Sequence, residues 1–311
     1  MTSETYLRLL MVGCLSICAA SCWHRSRSSA ALTRRGRAFV LRNLASIEDR
    51  FVPMVEGRFR RAEQASAGLA AVGAVVFLVA PLDWADGQPA VALAMALAGV
   101  FGTVLALQAA GEAARELPLA GGAARTARVR AVEVADLVAP WPRRLLALQV
   151  VVLVSVLVVL GVALRAGWLQ APTSSVVGLV VAGLANLVAM GTGVYAARRA
   201  AALPEVAGDA AQLYWQDALR AESVTQAYTG STMSAVLLCS AASGLFARPS
   251  ASAPSWVVEV SVLLISLTGV MLAAYLWTLL VQQGAAPWFR QRLWPTLGAG
   301  DVIAPGPMVG P

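Results

Sequence analysis

Six apolar stretches, each close to the length of a bilayer crossing, constrain this chain more than any other feature. They run over Ser66–Leu82, Pro89–Gly111, Leu145–Gly167, Thr173–Ala197, Gly230–Phe246 and Trp256–Gln282. A helix needs about 20 mainly apolar residues to cross the hydrocarbon core. Lipid offers no partner to a backbone N–H or C=O, so only helices and closed barrels span it. None of these stretches alternates with the period of two that a barrel strand requires. The expected fold class is therefore all-α: a polytopic transmembrane helical bundle of six main helices, arranged as three hairpins, with a seventh N-terminal span. The expected division is an apolar segment over residues 1–23, a basic amphipathic segment over 24–65, the six-helix membrane region over 66–283 and a mostly disordered tail over 284–311.

The arginines set the expected orientation. All 24 basic residues are arginine. They concentrate in alternate loops: ten between Trp23 and Ala65, then Arg115, Arg125, Arg128, Arg130, Arg143 and Arg144, then Arg198, Arg199 and Arg220, then Arg290 and Arg292. The loops between hold only Arg165 and Arg248. Positively charged loops stay on the cytoplasmic side. This places the protein in a bacterial cytoplasmic (cell) membrane as a multi-pass chain with its C-terminus inside. The absence of lysine beside abundant Ala, Val and Gly fits a GC-rich bacterial genome. The outer connections carry turn chemistry. Asp83 to Gln88 contains an Asp-Gly turn, and Pro89 and Pro172 precede helix restarts. Each outer turn brings one tryptophan to the interface (Trp84, Trp168, Trp256), with Trp141, Trp288 and Trp294 as the matching inner belt.

At the N-terminus, Tyr6–Cys22 is apolar and followed by His24, Arg25 and Arg27. It reads as an uncleaved span, a cleaved signal peptide or a lipoprotein signal ending at Cys22. Positive charge after the apolar run rather than before it favours the span. Inside the first basic segment, Val40, Leu44, Ile47, Phe51, Val55 and Phe59 form an amphipathic stripe that Pro53 is expected to kink. This stripe, and a shorter one over Val129–Val138, are expected to roof the bundle. Asp209–Tyr228 reads as a short helix that offers a docking surface.

The chemistry is bounded mainly by what is missing. Without lysine there is no P-loop, Schiff base or Ser–Lys dyad. A single histidine, His24, leaves no multi-histidine metal site. Cys14, Cys18 and Cys22 share one helical face and are expected to pack as small hydrophobes rather than hold a metal. No catalytic residues, cofactor or metal site, and no enzyme activity, are expected. The net charge of +7 follows the membrane topology and carries no nucleic-acid signal.

Ridges of small residues, Ala94-Ala98-Gly102-Ala106-Ala110 and Ala185-Ala189-Gly193-Ala197, are suited to close helix packing. Few polar residues lie deep. Asn186, near the middle of the fourth stretch, is expected to tie helices together or, alternatively, to line a solute path. Glu259, with Asp83 and Asp86, would form an acidic outer mouth, or act as ordinary interfacial charges.

Arg128–Trp141 and Tyr214–Arg220 resemble segments of an uncharacterised family of multi-pass integral membrane proteins of actinobacteria. The likeness covers the region from the second to the fifth stretch. It implies a bacterial membrane protein and brings no activity with it. The expected role is a non-catalytic membrane component or accessory subunit. Its partners would be the lipid bilayer and another membrane or cytoplasmic protein. The alternative is a small-solute transporter or permease subunit with a cavity between hairpins.

Overall fold

The computed structural model describes residues 3–43, 52–79, 99, 132–169, 173–202, 210–284 and 287–295. These form α1 (Ser3–Arg27), α2 (Ser29–Arg42), α3 (Val52–Val79), α4 (Val134–Leu137), α5 (Pro140–Arg165) and α6 (Thr173–Ala201). They continue as α7 (Ala210–Thr229), α8 (Thr232–Phe246), α9 (Trp256–Gly284) and α10 (Trp288–Leu293). Six helical runs among the described residues are long and apolar enough to cross a membrane: those in α1, α3, α5, α6, the joined α7–α8 rod and α9. The all-α bundle expected from the apolar stretches is what the chain forms. The second stretch lies outside the described residues except for Gly99, which is helical.

Helix ends follow local chemistry. Pro140 opens α5, where its missing N–H leaves no bond unmade. Gly167, at φ +70°, closes it. Trp168 N–H donates back to Ala163 O at 2.9 Å and Gly167 N–H to Leu164 O at 3.1 Å, which satisfies carbonyls the helix would otherwise leave open. Ser28 separates α2 from α1, its hydroxyl accepting from Ala31 N–H at 3.3 Å. Pro53 does not kink a helix as expected. It is the second residue of α3, a first-turn position that needs no N–H donor. The helix that carries the first of the six stretches thus begins at Val52, well before Ser66, and takes in Val55 and Phe59 of the amphipathic stripe.

Two cores result. One joins α5, α6, α8 and α9 through Leu160, Ala163, Ala182, Ala242 and Phe246, all fully buried. Around it, Val151, Val158, Val188, Val262 and Ile265 point outward. The second core lies at the arginine-rich end. It gathers α2, the start of α3, α4, α10 and the facing ends of α5 and α6 around α7. At the opposite end, the two described outer turns meet. Ser250 N–H donates to Trp168 O at 2.8 Å, and the Trp168 and Trp256 rings stand edge to face 5.2 Å apart. Among the described residues, the turns poor in arginine therefore share one end, and the arginine-bearing segments share the other.

Candidate functional site

The arginine-rich end is organised by α7. Residues expected to offer a docking surface are instead packed away: Tyr214, Trp215, Asp217, Leu219, Arg220 and Ser223 are all buried. The reason is that α7 is covered on more than one side. Trp215 meets Phe39 of α2 at 5.9 Å, and Tyr214 meets Phe289 at 5.5 Å and Trp294 at 5.4 Å. Seven and eight residues beyond Trp215, two helical turns along, Glu222 and Ser223 fall on its side of the helix. Glu222 pairs with Arg42 at 3.7 Å, and Ser223 accepts from Arg58.

Several buried polar groups here have matched partners. The Asp217 carboxylate accepts from Trp294 Nε1 at 2.8 Å. The carbonyl of Asn43 takes two donors, the Tyr214 hydroxyl at 2.5 Å and Arg290 at 3.0 Å. Glu63, itself buried, accepts from Arg25 at 3.2 Å and pairs with Arg35. Arg292 reaches Asp136 at 3.4 Å. Trp288 donates to Ala135 O at 2.9 Å. Trp288 and Trp294 are therefore not a lipid-facing belt as expected. They dock the chain after α9 onto α4 and α7, while Trp141 stays exposed. The stretch over 288–294 belongs to this core, and 296–311 lies outside the described residues. Val55 and Phe59, from the expected amphipathic stripe, are buried in the same core and so roof the bundle. Leu44, Ile47 and Phe51 lie outside the described residues.

Between α2, α7 and α10 the packing leaves a cavity of about 600 Å³. Arg35, Arg42 and Glu222 bring charge to it, and Thr225, Thr229 and Tyr275 bring hydroxyls. Burial lowers the pKa of Arg35 below its ordinary value, and Glu222 opposes that shift. A second cavity of about 410 Å³ lies between α2 and α3 beside Leu41, which is 73% exposed. Hydropathy gave no signal for either, and the larger one arises where segments distant in sequence meet.

The expected site residues do not come together. Asn186 is fully buried in mid-helix and lines neither cavity. Both polar atoms of its amide lack a hydrogen-bond partner. It therefore does not tie helices together by hydrogen bonding, as the sequence led us to expect. What it marks is a close backbone crossing. A Cβ placed on Gly99 would sit 3.3 Å from Asn186 N. Ala189, Gly193 and Ala197 of the small-residue ridge are buried, and Ala185 is partly so. Glu259 is exposed in the first turn of α9, and Asp83 and Asp86 lie outside the described residues. Cys14 and Cys18 are exposed rather than packed against a neighbour. Among the described residues no cluster of three or more His, Cys, Asp or Glu is placed to hold a metal.

Six runs among the described residues long and apolar enough to cross a membrane, with aliphatic side chains facing outward as well as inward, define a multi-pass membrane protein. No protein-family model, curated protein or solved structure matches the chain.

Proposed function

We propose that this chain is a non-catalytic component of a bacterial cytoplasmic membrane that acts through a protein partner at its arginine-rich end. That end and the C-terminus would face the cytoplasm, since arginine-rich loops are retained there. The observation that carries the reading is the contrast between the two places where a function might sit. The arginine-rich end has its own aromatic and ion-paired core, two cavities and an exposed apolar Leu41 among arginines. The deep polar residue, Asn186, lines neither cavity. The actinobacterial family resemblance is consistent with this origin and adds no activity.

One observation favours the transporter alternative. The unpartnered amide of Asn186 would gain from a water or a solute in an otherwise apolar setting. Two measurements test the proposal. Reporter fusions at Gly208 and Gly298 should read inside, and those at Gly167 and Ser252 outside; one reversed pair would remove the orientation. Mild extraction of the wild type should recover a defined partner that Leu41→Asp loses while the protein stays folded. Solute flux in reconstituted vesicles that depends on Asn186 would replace the component reading with a transporter.

A further inference from the structure

The larger cavity has features that its place in a roofed bundle does not require. It lies beside Tyr275 of α9, a helix that begins at Trp256. Tyr275 stands 19 residues along the helix from the interfacial Trp256, about 29 Å at 1.5 Å per residue and close to the thickness of a hydrocarbon core. Tyr275 therefore lies at the level where lipid headgroups begin. On α9 next to it, Leu276 and Trp277 are exposed and available to acyl chains. The volume of about 600 Å³ falls within the roughly 300–1,000 Å³ of small-molecule pockets.

The charges are of both signs. The side chains of Arg35 and Arg42 are 48% and 40% exposed, and a guanidinium has five N–H donors, more than the single pairing of Arg35 with Glu63 or of Arg42 with Glu222 uses. Glu222 gives one oxygen to Arg42 at 3.7 Å. Its other oxygen, Oε2, is buried and has no donor. A buried carboxylate oxygen without a donor is costly, and an N–H⁺ group supplied by an occupant would relieve it. A purely anionic headgroup would satisfy the arginines but repel Glu222. A headgroup with a quaternary ammonium has no N–H to give.

We propose that this cavity binds an ammonium–phosphate zwitterion, the headgroup of an aminophospholipid such as phosphatidylethanolamine, with phosphate at Arg35 and Arg42 and ammonium at Glu222. The hydroxyls of Thr225 and Thr229 line the same space and can donate to phosphate oxygens. The inference goes beyond the component reading and needs no protein partner. It is independent of which face of the membrane the cavity opens on.

The test is native mass spectrometry of the full chain, released from vesicles holding equal parts of phosphatidylethanolamine, phosphatidylglycerol and phosphatidylcholine. The wild type should retain phosphatidylethanolamine at least fivefold over either competitor. Glu222→Gln should abolish the preference over phosphatidylcholine, and Arg42→Ala should lower retention of all three. Free phosphoethanolamine serves as a second arm. If it displaces the lipid, the headgroup alone is sufficient; if it does not, the acyl chains contribute, and both results support the site. Equal retention of the three lipids by the wild type overturns the proposal whether or not the variants fold. So does a Glu222→Gln protein that keeps the selectivity.

Discussion

The two cores of this protein are sorted by different rules. In the span region, inside and outside are alike in apolarity: Val152, Val156 and Leu160 are buried, while Val151 and Val154 of the same helix are exposed. Ala163, Ala182 and Ala242 are fully buried, while Val158 and Val188 are at least 60% exposed. Lipid tails are as apolar as valine, so nothing drives valine inward, and close backbone contact between small residues holds the helices together. At the arginine-rich end aromatic rings are buried, and charges taken in with them, such as Glu63, Asp136 and Asp217, are partnered. Phe39, Tyr214, Trp215 and Phe289 are buried, and the side chains of Arg25, Arg35 and Arg42 are 40–49% exposed. That is the pattern of a water-soluble core, driven by removal of apolar surface from water. The difference shows that a single chain carries a membrane bundle and a soluble-type cap joined through the α7–α8 rod.

The largest expected effect tests the cap. Trp215 is 1% exposed and packs against Phe39. Trp215→Ala should lower stability by about 3–5 kcal/mol, the usual range for deleting a buried aromatic. Thermal unfolding in detergent measures it. A change under about 1 kcal/mol would mean that α7 is not packed in a core of the soluble kind, and the comparison would fail. Trp294→Phe is a finer cut, since it keeps most of the ring and removes the N–H that Asp217 accepts at 2.8 Å. A loss of about 2 kcal/mol is expected for a buried bond to a charged group. Cleavage after α9 by added protease should rise with it, because Trp294 fastens that segment to α7.

The span region was largely legible in the sequence, and the cap was not. Apolar length located the membrane helices and Gly167 marked the end of α5, because these signals are local, while its start at Pro140 lies five residues before the expected Leu145. The clustering of arginine-bearing segments at one end also followed from their alternation. The burial of α7 did not. Gln216, Asp217, Arg220 and Glu222 lower its mean hydropathy to that of a loop, yet it sits at the centre of a core. Its cover comes from Phe39, Phe59 and Phe289, at least 60 residues away on either side, and no local window contains them. The adjacent pair Tyr214-Trp215 was the one visible hint, since two large aromatics together are seldom left to solvent. Pro53 was misread for a related reason. A proline interrupts a stripe or begins a helix with equal ease, and only the position of the helix start decides which.

Within the span region, Gly99 tests whether close approach sets the packing. A Cβ there would stand 3.3 Å from Asn186 N and 3.5 Å from Ala185 C. Both are backbone atoms that cannot swing aside. Gly99→Ala should therefore cost about 1–2 kcal/mol through overpacking, despite the higher helix propensity of alanine. In the cap, Gly36 faces only the Val55 side chain at 4.0 Å. Gly36→Ala should be neutral or stabilising there. A reversal of the two signs would show that small residues matter equally in both regions.

The smallest expected effect is at Asn186, and it separates the function classes. The amide is fully buried with neither polar atom partnered. A polar group in that state is already destabilising, because it has lost water and gained nothing. Replacing it with an apolar side chain of similar length removes that cost. Asn186→Leu should therefore leave the unfolding temperature unchanged or raise it, with a free-energy change within about 0.5 kcal/mol of neutral or in the stabilising direction. The result would confirm that nothing wet reaches the residue. A loss of about 2 kcal/mol would have the opposite meaning. The amide would then be satisfied by water or solute inside the bundle, the span region would hold a polar path, and the transporter reading would take precedence.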